Sequence, residues 1–265
     1  MTQDVGTALL RINKYNLSSL IYVVGSEQKH HFKSLFKILE ALGYKWSKNC
    51  YHLSYGMVYL PAGKMKSREG KVVDADDLIS QMEEFATREI RKCYVGKKLS
   101  NHEVNKRSSI IGVGAIKFYL LRVGASQDIH FNPQESISFD GFTGPYCQYA
   151  YARIFGILKN AKNKKIDLKN CDFSLLGNQE ELLLIQKLIQ FPEKIKIAAS
   201  EFNPSYIAIH VFDIAKAFNQ FYNKHQVLHA ETAKLVRVRL ILIKSTAIVL
   251  KKGLNLLGID VLEEM

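Results

Sequence analysis

The sequence predicts an α/β region followed by an all-α region, and three observations carry that prediction. An apolar strand pattern, Leu20 to Val24, runs through Gly25 into an amphipathic helical pattern, which is half of a βαβ unit. Two short extended runs, Cys50 to Leu53 and Met57 to Leu60, follow it at strand length. From Asp74 onward the periodicity is helical, and after Gly144 almost nothing else is found. The division falls between residues 140 and 141, giving segments 1–140 and 141–265.

In chain order, Asp4 suits the start of a short helix to about Lys14, with Val5, Ala8, Leu9 and Ile12 as its apolar stripe. Strand Leu20 to Val24 reads as buried. Glu27 to Leu42 reads as a helix with Phe32, Leu35, Phe36, Leu39 and Leu42 on one side and Gly43 as its stop. The first sixty residues therefore look like the closing portion of a parallel sheet whose opening strands are not in this sequence. Leu78, Met82 and Phe85 mark one helix, and Val104 to Leu121 another whose Gly112 and Gly114 suit close helix packing. Asp128 to Gly144 reads as extended and turn-rich, and Pro145 opens a helix carrying Tyr146, Tyr149 and Arg153. Helices are expected over Asn178 to Gln190, Pro192 to Ala199, Pro204 to Asn223 and Ala230 to Lys252, with Gly253 as the last stop.

The chain has 265 residues, 47% of them apolar, which is enough to build real cores. A formal charge of +12 points to a polyanionic partner, nucleic acid ahead of an anionic membrane surface. The four cysteines, Cys50, Cys93, Cys147 and Cys171, form no C-x-x-C pair, so neither a zinc knuckle nor a redox motif is visible and a reduced cytoplasm fits. Leu235 to Leu250 is interrupted by Arg237, Arg239 and Lys244, too much charge for a membrane span.

Several residues invite chemistry. Ligands on parallel sheets sit beyond the carboxyl ends of the strands, which places Gly25 to Gln28 and the basic loop Lys64, Lys66, Arg68 and Lys71 where a site belongs. Asp4 and Gln28 offer a carboxylate and an amide for a cationic substrate; taken alone, helix capping and surface exposure explain both more simply. His30 and His31 have no third ligand at metal spacing, and no metal site is predicted. No P-loop and no G-x-G-x-x-G fingerprint is present. Lys234, Arg237, Lys244 and Lys251 share one side of the last helix, as a phosphate-tracking stripe or an ordinary solvated face. Tyr146, Tyr149 and Arg153 share another face, suited to base stacking or to packing on a neighbouring helix.

Six segments in order then make the chain resemble the arginyl-tRNA synthetases, a class I aminoacyl-tRNA synthetase family. They are TQDVGTALLR, YVVGSEQKHHF, YGMVYLPAGKMKSREGKVVDADDL, VGAIKFYLL, GPYCQYAYARI and VLKKGLNLLGI. The resemblance implies an incomplete class I Rossmann-like catalytic domain, its second half, joined to a DALR-type helical anticodon-binding domain. It implies ATP-dependent activation of L-arginine, with Mg2+ accompanying ATP, and transfer to tRNA(Arg) in the cytoplasm. Asp4 and Gln28 match positions that recognise the arginine side chain, and Gly56 and Met57 lie where adenine is held. Lys64, Met65, Lys66, Ser67 and Arg68 correspond to the KMSKS signature that stabilises the ATP phosphates, with Lys64, Lys66 and Arg68 as catalytic cations. Tyr146, Gln148, Tyr149, Arg153, Arg237 and Lys244 would face tRNA. The signature here reads KMKSR, so the usual second lysine is Ser67 and positive charge must come from Lys66 or Arg68.

The sequence contains no H-x-G-H tetrad. The opening half of the nucleotide-binding fold is accordingly expected to lie outside this chain, in an N-terminal piece encoded separately or lost from the reading frame. Class I activation stabilises the developing phosphate charge from both signature motifs, so the chain alone is expected to activate little arginine. A second reading, a non-catalytic tRNA-binding module, rests on the helical half alone.

Overall fold

The structure is a computed structural model that describes residues 1–60, 63–64, 74–93, 99–163, 166 and 171–265, the side chains of 63, 64, 93 and 163 excepted. The chain divides into two compact units, one drawn from Met1–Met65 with Gly124–His130, the other from Lys66–Val123 with Phe131–Met265. Among the described residues no helix is long and apolar enough to cross a membrane.

The first unit opens with helix α1 (Thr2–Tyr15), strand β1 (Leu20–Gly25), a single 3-10 turn at Ser26–Gln28, and helix α2 (Lys29–Ala41). The expected helix over Glu27 to Leu42 thus begins as a tight turn, and Gln28 stands at the start of α2. Asp4 is not the cap of α1, whose helical geometry already begins at Thr2; it lies in the first turn, where a carboxylate still complements the helix dipole. Strand β2 (Cys50–Tyr55) pairs parallel with β1, from Leu20 opposite Cys50 to Gly25 opposite Tyr55. One face of this pair is packed: Leu20, Tyr22, Val24 and Cys50 gather with Ala8 of α1 and with Phe32, Leu35 and Leu39 of α2. Burying each such side chain is worth about 1.5–3 kcal/mol. The other face is bare, with Ile21 46% and Val23 63% exposed, so β1 is a half-buried strand and not the fully buried one the sequence predicts.

Three further short strands complete the unit. Strand β3 (Val58–Leu60) pairs antiparallel with β4 (Gly63–Lys64) and parallel with β5 (Ile129–His130). The stretch 124–130, more than sixty residues downstream, thereby returns to the α/β unit, a non-local pairing with no local signal in the sequence.

The second unit is helical: α3 (Ala75–Cys93), α4 (Asn101–Leu121), a single turn α5 (Pro133–Ser136), α6 (Gly144–Asn163), α7 (Gln179–Ser200), α8 (Ser205–Lys224) and α9 (Ala233–Leu256). Close packing at Gly112 is as expected, since a Cβ there would stand 3.0 Å from the backbone of Met82 and Glu83 in α3. A core of Phe118, Ile154, Leu184, Phe218, Phe221, Leu240 and Leu250 joins α4, α6, α7, α8 and α9.

Two expected breaks are not breaks. Helix α7 runs through Pro192, where two helices were expected. A proline lacks the N–H that would bond the carbonyl four residues back, here that of Leu188; the neighbouring carbonyl of Lys187 meets the Nε2 of His210 at 2.8 Å. Helix α9 runs past Gly253, which is interior: a Cβ there would lie 2.4 Å from Val211 of α8, so the glycine is a close-contact residue and not a stop. Its N-terminus is set by Thr232, whose hydroxyl accepts from the Leu235 amide at 3.1 Å.

Candidate functional site

In the α/β unit the strand-end region is built from α1, the turn after β1, and the loop between β2 and β3. His31 lies three residues after Gln28 and reaches Asp4, its Nε2 3.3 Å from Oδ2, which ties the first turn of α1 to the first turn of α2. The amine of Met1, 2.9 Å from the same oxygen, holds the Asp4 carboxyl below its usual range, and His31 adds to the effect. Asp4 is 43% exposed by side chain and Gln28 is exposed, so both remain open to a polar ligand.

Gly56 and Met57 have a definite geometry. The Gly56 amide donates to the carbonyl of Ala125 at 2.8 Å, and the Met57 amide to the Asp128 carboxylate at 2.7 Å. The Met57 carbonyl accepts from the Ile129 amide at 2.8 Å. A Cβ on residue 56 would stand 2.1 Å from the carbonyl oxygen of Gln127, so only glycine fits this approach of two backbones. Both amides are therefore committed within the unit, and these two residues can shape the wall of a nucleotide pocket without donating to a base. The Tyr59 ring stacks on His130, centroids 5.0 Å apart, on the same pair of strands.

The basic loop falls largely outside the described residues. The backbone of Lys64 lies in β4, opposite Tyr59, whereas Met65, Lys66, Ser67 and Arg68 and the Lys64 side chain are not described. Among the described residues no group of three or more His, Cys, Asp and Glu side chains is placed to hold a metal ion.

In the helical unit a cluster forms around Arg153. Its guanidinium lies 4.6 Å from the ring centroid of Tyr149 and 5.1 Å from that of Tyr222, and it donates to Asn219 Oδ1 at 2.9 Å and to the Tyr149 hydroxyl at 3.1 Å. Tyr149 and Tyr222 are 36% and 38% exposed, so a flat cation is held between two rings with open edges. Such an arrangement can take an unstacked base or a phosphate oxygen. Tyr222 and Asn219 belong to α8, and sequence reading missed them because nothing local links that helix to Arg153. Beside them Asn160, Asn223, Gln226 and His229 line a cavity of about 440 Å³ with Tyr222.

One of the residues expected to face tRNA is interior. Gln148 is 0% exposed; its amide nitrogen donates to the carbonyls of Ile110 at 3.2 Å and Asp260 at 2.8 Å, tying α4 and the C-terminal segment to α6. Tyr146 is half-buried, its ring centroid 5.2 Å from that of Phe212. Gln148 sits on the inward side of α6, a side that helical spacing alone does not reveal.

The basic residues of α9 lie at different depths. Lys234, Lys244 and Lys251 are exposed and Arg237 is half-exposed, as expected. Arg239 is an interior residue 3% exposed, and its Nε donates at 2.8 Å to Glu181, which is fully buried. Arg239 also donates to the Gln226 carbonyl at 2.9 Å. Glu181 also accepts from the Asn178 amide at 3.0 Å, so one carboxylate caps α7 and neutralises α9. Next to it, the Glu180 carboxyl is held down to about 2 by hydrogen bonds from His225 and then Lys224.

A parallel strand pair carrying helices on one face, with a helical unit beside it in the sequence, fits a partial class I synthetase catalytic domain and a helical domain. Residues 1–132 match the family described as tRNA synthetases class I (R), catalytic domain, and residues 147–265 match the DALR anticodon binding domain. Over its whole length the chain is 43% identical to the arginine–tRNA ligases of Treponema denticola and Phocaeicola vulgatus, of which it spans 45% and 44%. The Thermus thermophilus arginyl-tRNA synthetase superposes with a TM-score of 0.82 at 29% identity, over 94% of this chain and 41% of that one. The chain belongs to the arginyl-tRNA synthetase family.

Proposed function

We propose that this chain is the C-terminal portion of an arginine–tRNA ligase, which joins L-arginine to tRNA(Arg) at the expense of ATP, releasing AMP and pyrophosphate. The observation that supports this best is the unbroken similarity across both units, 43% identity from end to end to ligases about twice as long. Asp4 and Gln28 select the guanidinium of arginine, Gly56 and Met57 shape the adenine wall, and Lys64, Met65, Lys66, Ser67 and Arg68 form the phosphate loop. Mg2+ enters with ATP, carried on its phosphate oxygens. Tyr149, Arg153 and Tyr222 take a tRNA base, and Arg237 and Lys244 follow its backbone. The functional divide lies near residue 140, between the two family matches. The reaction takes place in the cytoplasm, in company with a polypeptide that supplies the first half of the catalytic domain.

A second reading, a tRNA-binding module without catalysis, draws on one specific observation: the helical unit has a closed core while the β1–β2 sheet is bare on one face. Two assays on the purified chain separate the readings. Arginine-dependent ATP–pyrophosphate exchange should be negligible for the chain alone and appear when the first half of a ligase is supplied; exchange that never appears leaves the module. Binding of tRNA should weaken steeply with salt, and binding that is absent or indifferent to salt defeats both.

A further inference from the structure

The cavity beside Arg153 has a wall with little structure of its own. Its lining includes Tyr222 and Asn223 from the last turn of α8, then Gln226, Val227, Leu228 and His229 from the connection to α9. Among the described residues the backbone of Gln226 to Glu231 makes no hydrogen bond to other backbone. Val227, 4% exposed, sets the depth of this connection by packing into the core, but apolar packing has no direction. Direction comes from the first turn of α7. Glu180 accepts from Lys224 and meets the Nε2 of His225 at 2.9 Å. Glu181 accepts from the Arg239 Nε at 2.8 Å, and the same guanidinium donates to the Gln226 carbonyl at 2.9 Å. Two adjacent carboxylates thus fix the two residues with which the connection begins.

A buried ion pair is a poor device for stability alone, because apolar residues of similar volume often serve as well or better. What this pair supplies is geometry. The guanidinium is planar with its donors in a fixed fork, so the donor that binds Glu181 determines where another can hold a carbonyl. We propose that Glu181 and Arg239 are positioning residues for tRNA, which fix the Gln226 wall of the cavity against Tyr222 and Asn160 so that an unstacked base finds the cavity already formed. Neither side chain touches the base, since Glu181 is 0% and Arg239 3% exposed; both act through the connection. The proposal rests on the reading of Tyr149, Arg153 and Tyr222 as a tRNA base site, and names what keeps that site in shape.

The test compares stability with binding in the purified chain. Arg239→Met with Glu181→Leu replaces the pair by apolar residues, so the urea midpoint should stay near that of the unsubstituted chain. Affinity for tRNA should nevertheless fall about tenfold, with the slope of log K against log salt unchanged because no phosphate contact is lost. Hydrogen exchange should quicken at the amides of Gln226 to His229. Added to Arg153→Ala, the paired substitution should cost little further affinity, since both act on one site. Glu180→Gln weakens the other tether and leaves the buried pair intact; it should quicken the same exchange and lower affinity to a lesser extent, and it carries the test if the apolar pair does not fold. Affinity that returns with stability in the apolar pair, exchange unchanged in this connection, or a loss that simply adds to that of Arg153→Ala would overturn the proposal. Absence of tRNA binding by the unsubstituted chain would overturn the base-site reading and the proposal with it, whereas binding that ignores the pair overturns the proposal alone.

Discussion

The two units are packed differently. In the helical unit the long helices α4, α6, α7, α8 and α9 share one core, and an ionic pair, Glu181 with Arg239, is taken inside it. In the α/β unit five buried residues pack one face of a two-stranded sheet, while residues of equal hydrophobicity on its other face meet solvent. The same chemistry, Val on β1, is packed at Val24 and exposed at Val23 because strand side chains alternate. The described core of the α/β unit is accordingly smaller than that of the helical unit.

The largest expected effect probes the closed unit at its most committed point. Arg239→Ala leaves the Glu181 carboxylate buried without its counter-ion, which costs about 3–5 kcal/mol. Urea unfolding followed by tryptophan-independent circular dichroism should show the midpoint fall, and pairing Arg239→Met with Glu181→Leu should recover most of it. A loss below about 1 kcal/mol would mean that the pair is more hydrated than its 3% and 0% exposure implies.

A comparable truncation in the open unit sharpens the contrast. Leu35 is 0% exposed on α2, and Leu35→Ala removes about 2–5 kcal/mol from its packing. Because that unit holds a small core, the loss should abolish hydrogen-exchange protection in β1 and β2. Retained protection there would show that the sheet is stabilised by more than the face now covered.

Smaller effects fall on binding. Arg153→Ala removes the cation held between Tyr149 and Tyr222, and tRNA affinity should fall about tenfold, within the range of about 1–3 kcal/mol for lost base stacking. Arg237→Ala and Lys244→Ala should each lower the slope of log K against log salt by about one. Gln148→Ala should change stability and leave the salt slope alone, since that side chain bonds only to the carbonyls of Ile110 and Asp260.

What could be read from the sequence follows from whether the determining contacts are local. The strand, turn and helix from Leu20 to Ala41, the parallel partner at Cys50 and the small-residue packing at Gly112 are carried by spacing within a few residues. Gly253 was misleading because a tertiary contact overrules its propensity: Val211 presses on it; Pro192 was misleading because a single missing N–H does not end a helix held by its packing. The return of residues 124–130 to Gly56 and Met57 was invisible for the same reason. On the site, Tyr149 and Arg153 were legible as a pair at helical spacing, whereas Tyr222 on another helix was not. Glu181 and Arg239 lie 58 residues apart, so nothing local announces their pairing.

The smallest expected effect separates the units by pH. The Glu180 carboxyl is held at about 2 in the folded chain, below the ordinary 4.5 of a glutamate, by His225 and Lys224. Its contribution to stability is therefore fully present above about pH 4.5 and is lost as pH falls toward 2, because the unfolded chain takes up a proton that the folded chain resists. Over that window the helical unit should lose stability, and Glu180→Gln should make its unfolding midpoint less dependent on pH. The α/β unit contains a carboxyl lowered in the same direction at Asp4, through the amine of Met1 and His31. Asp4→Asn should flatten the acid dependence of exchange protection in α1 without touching the α7 to α8 region. If Glu180→Gln and Asp4→Asn each flattened both, the acid response would belong to the whole chain and the contrast between the units would fail.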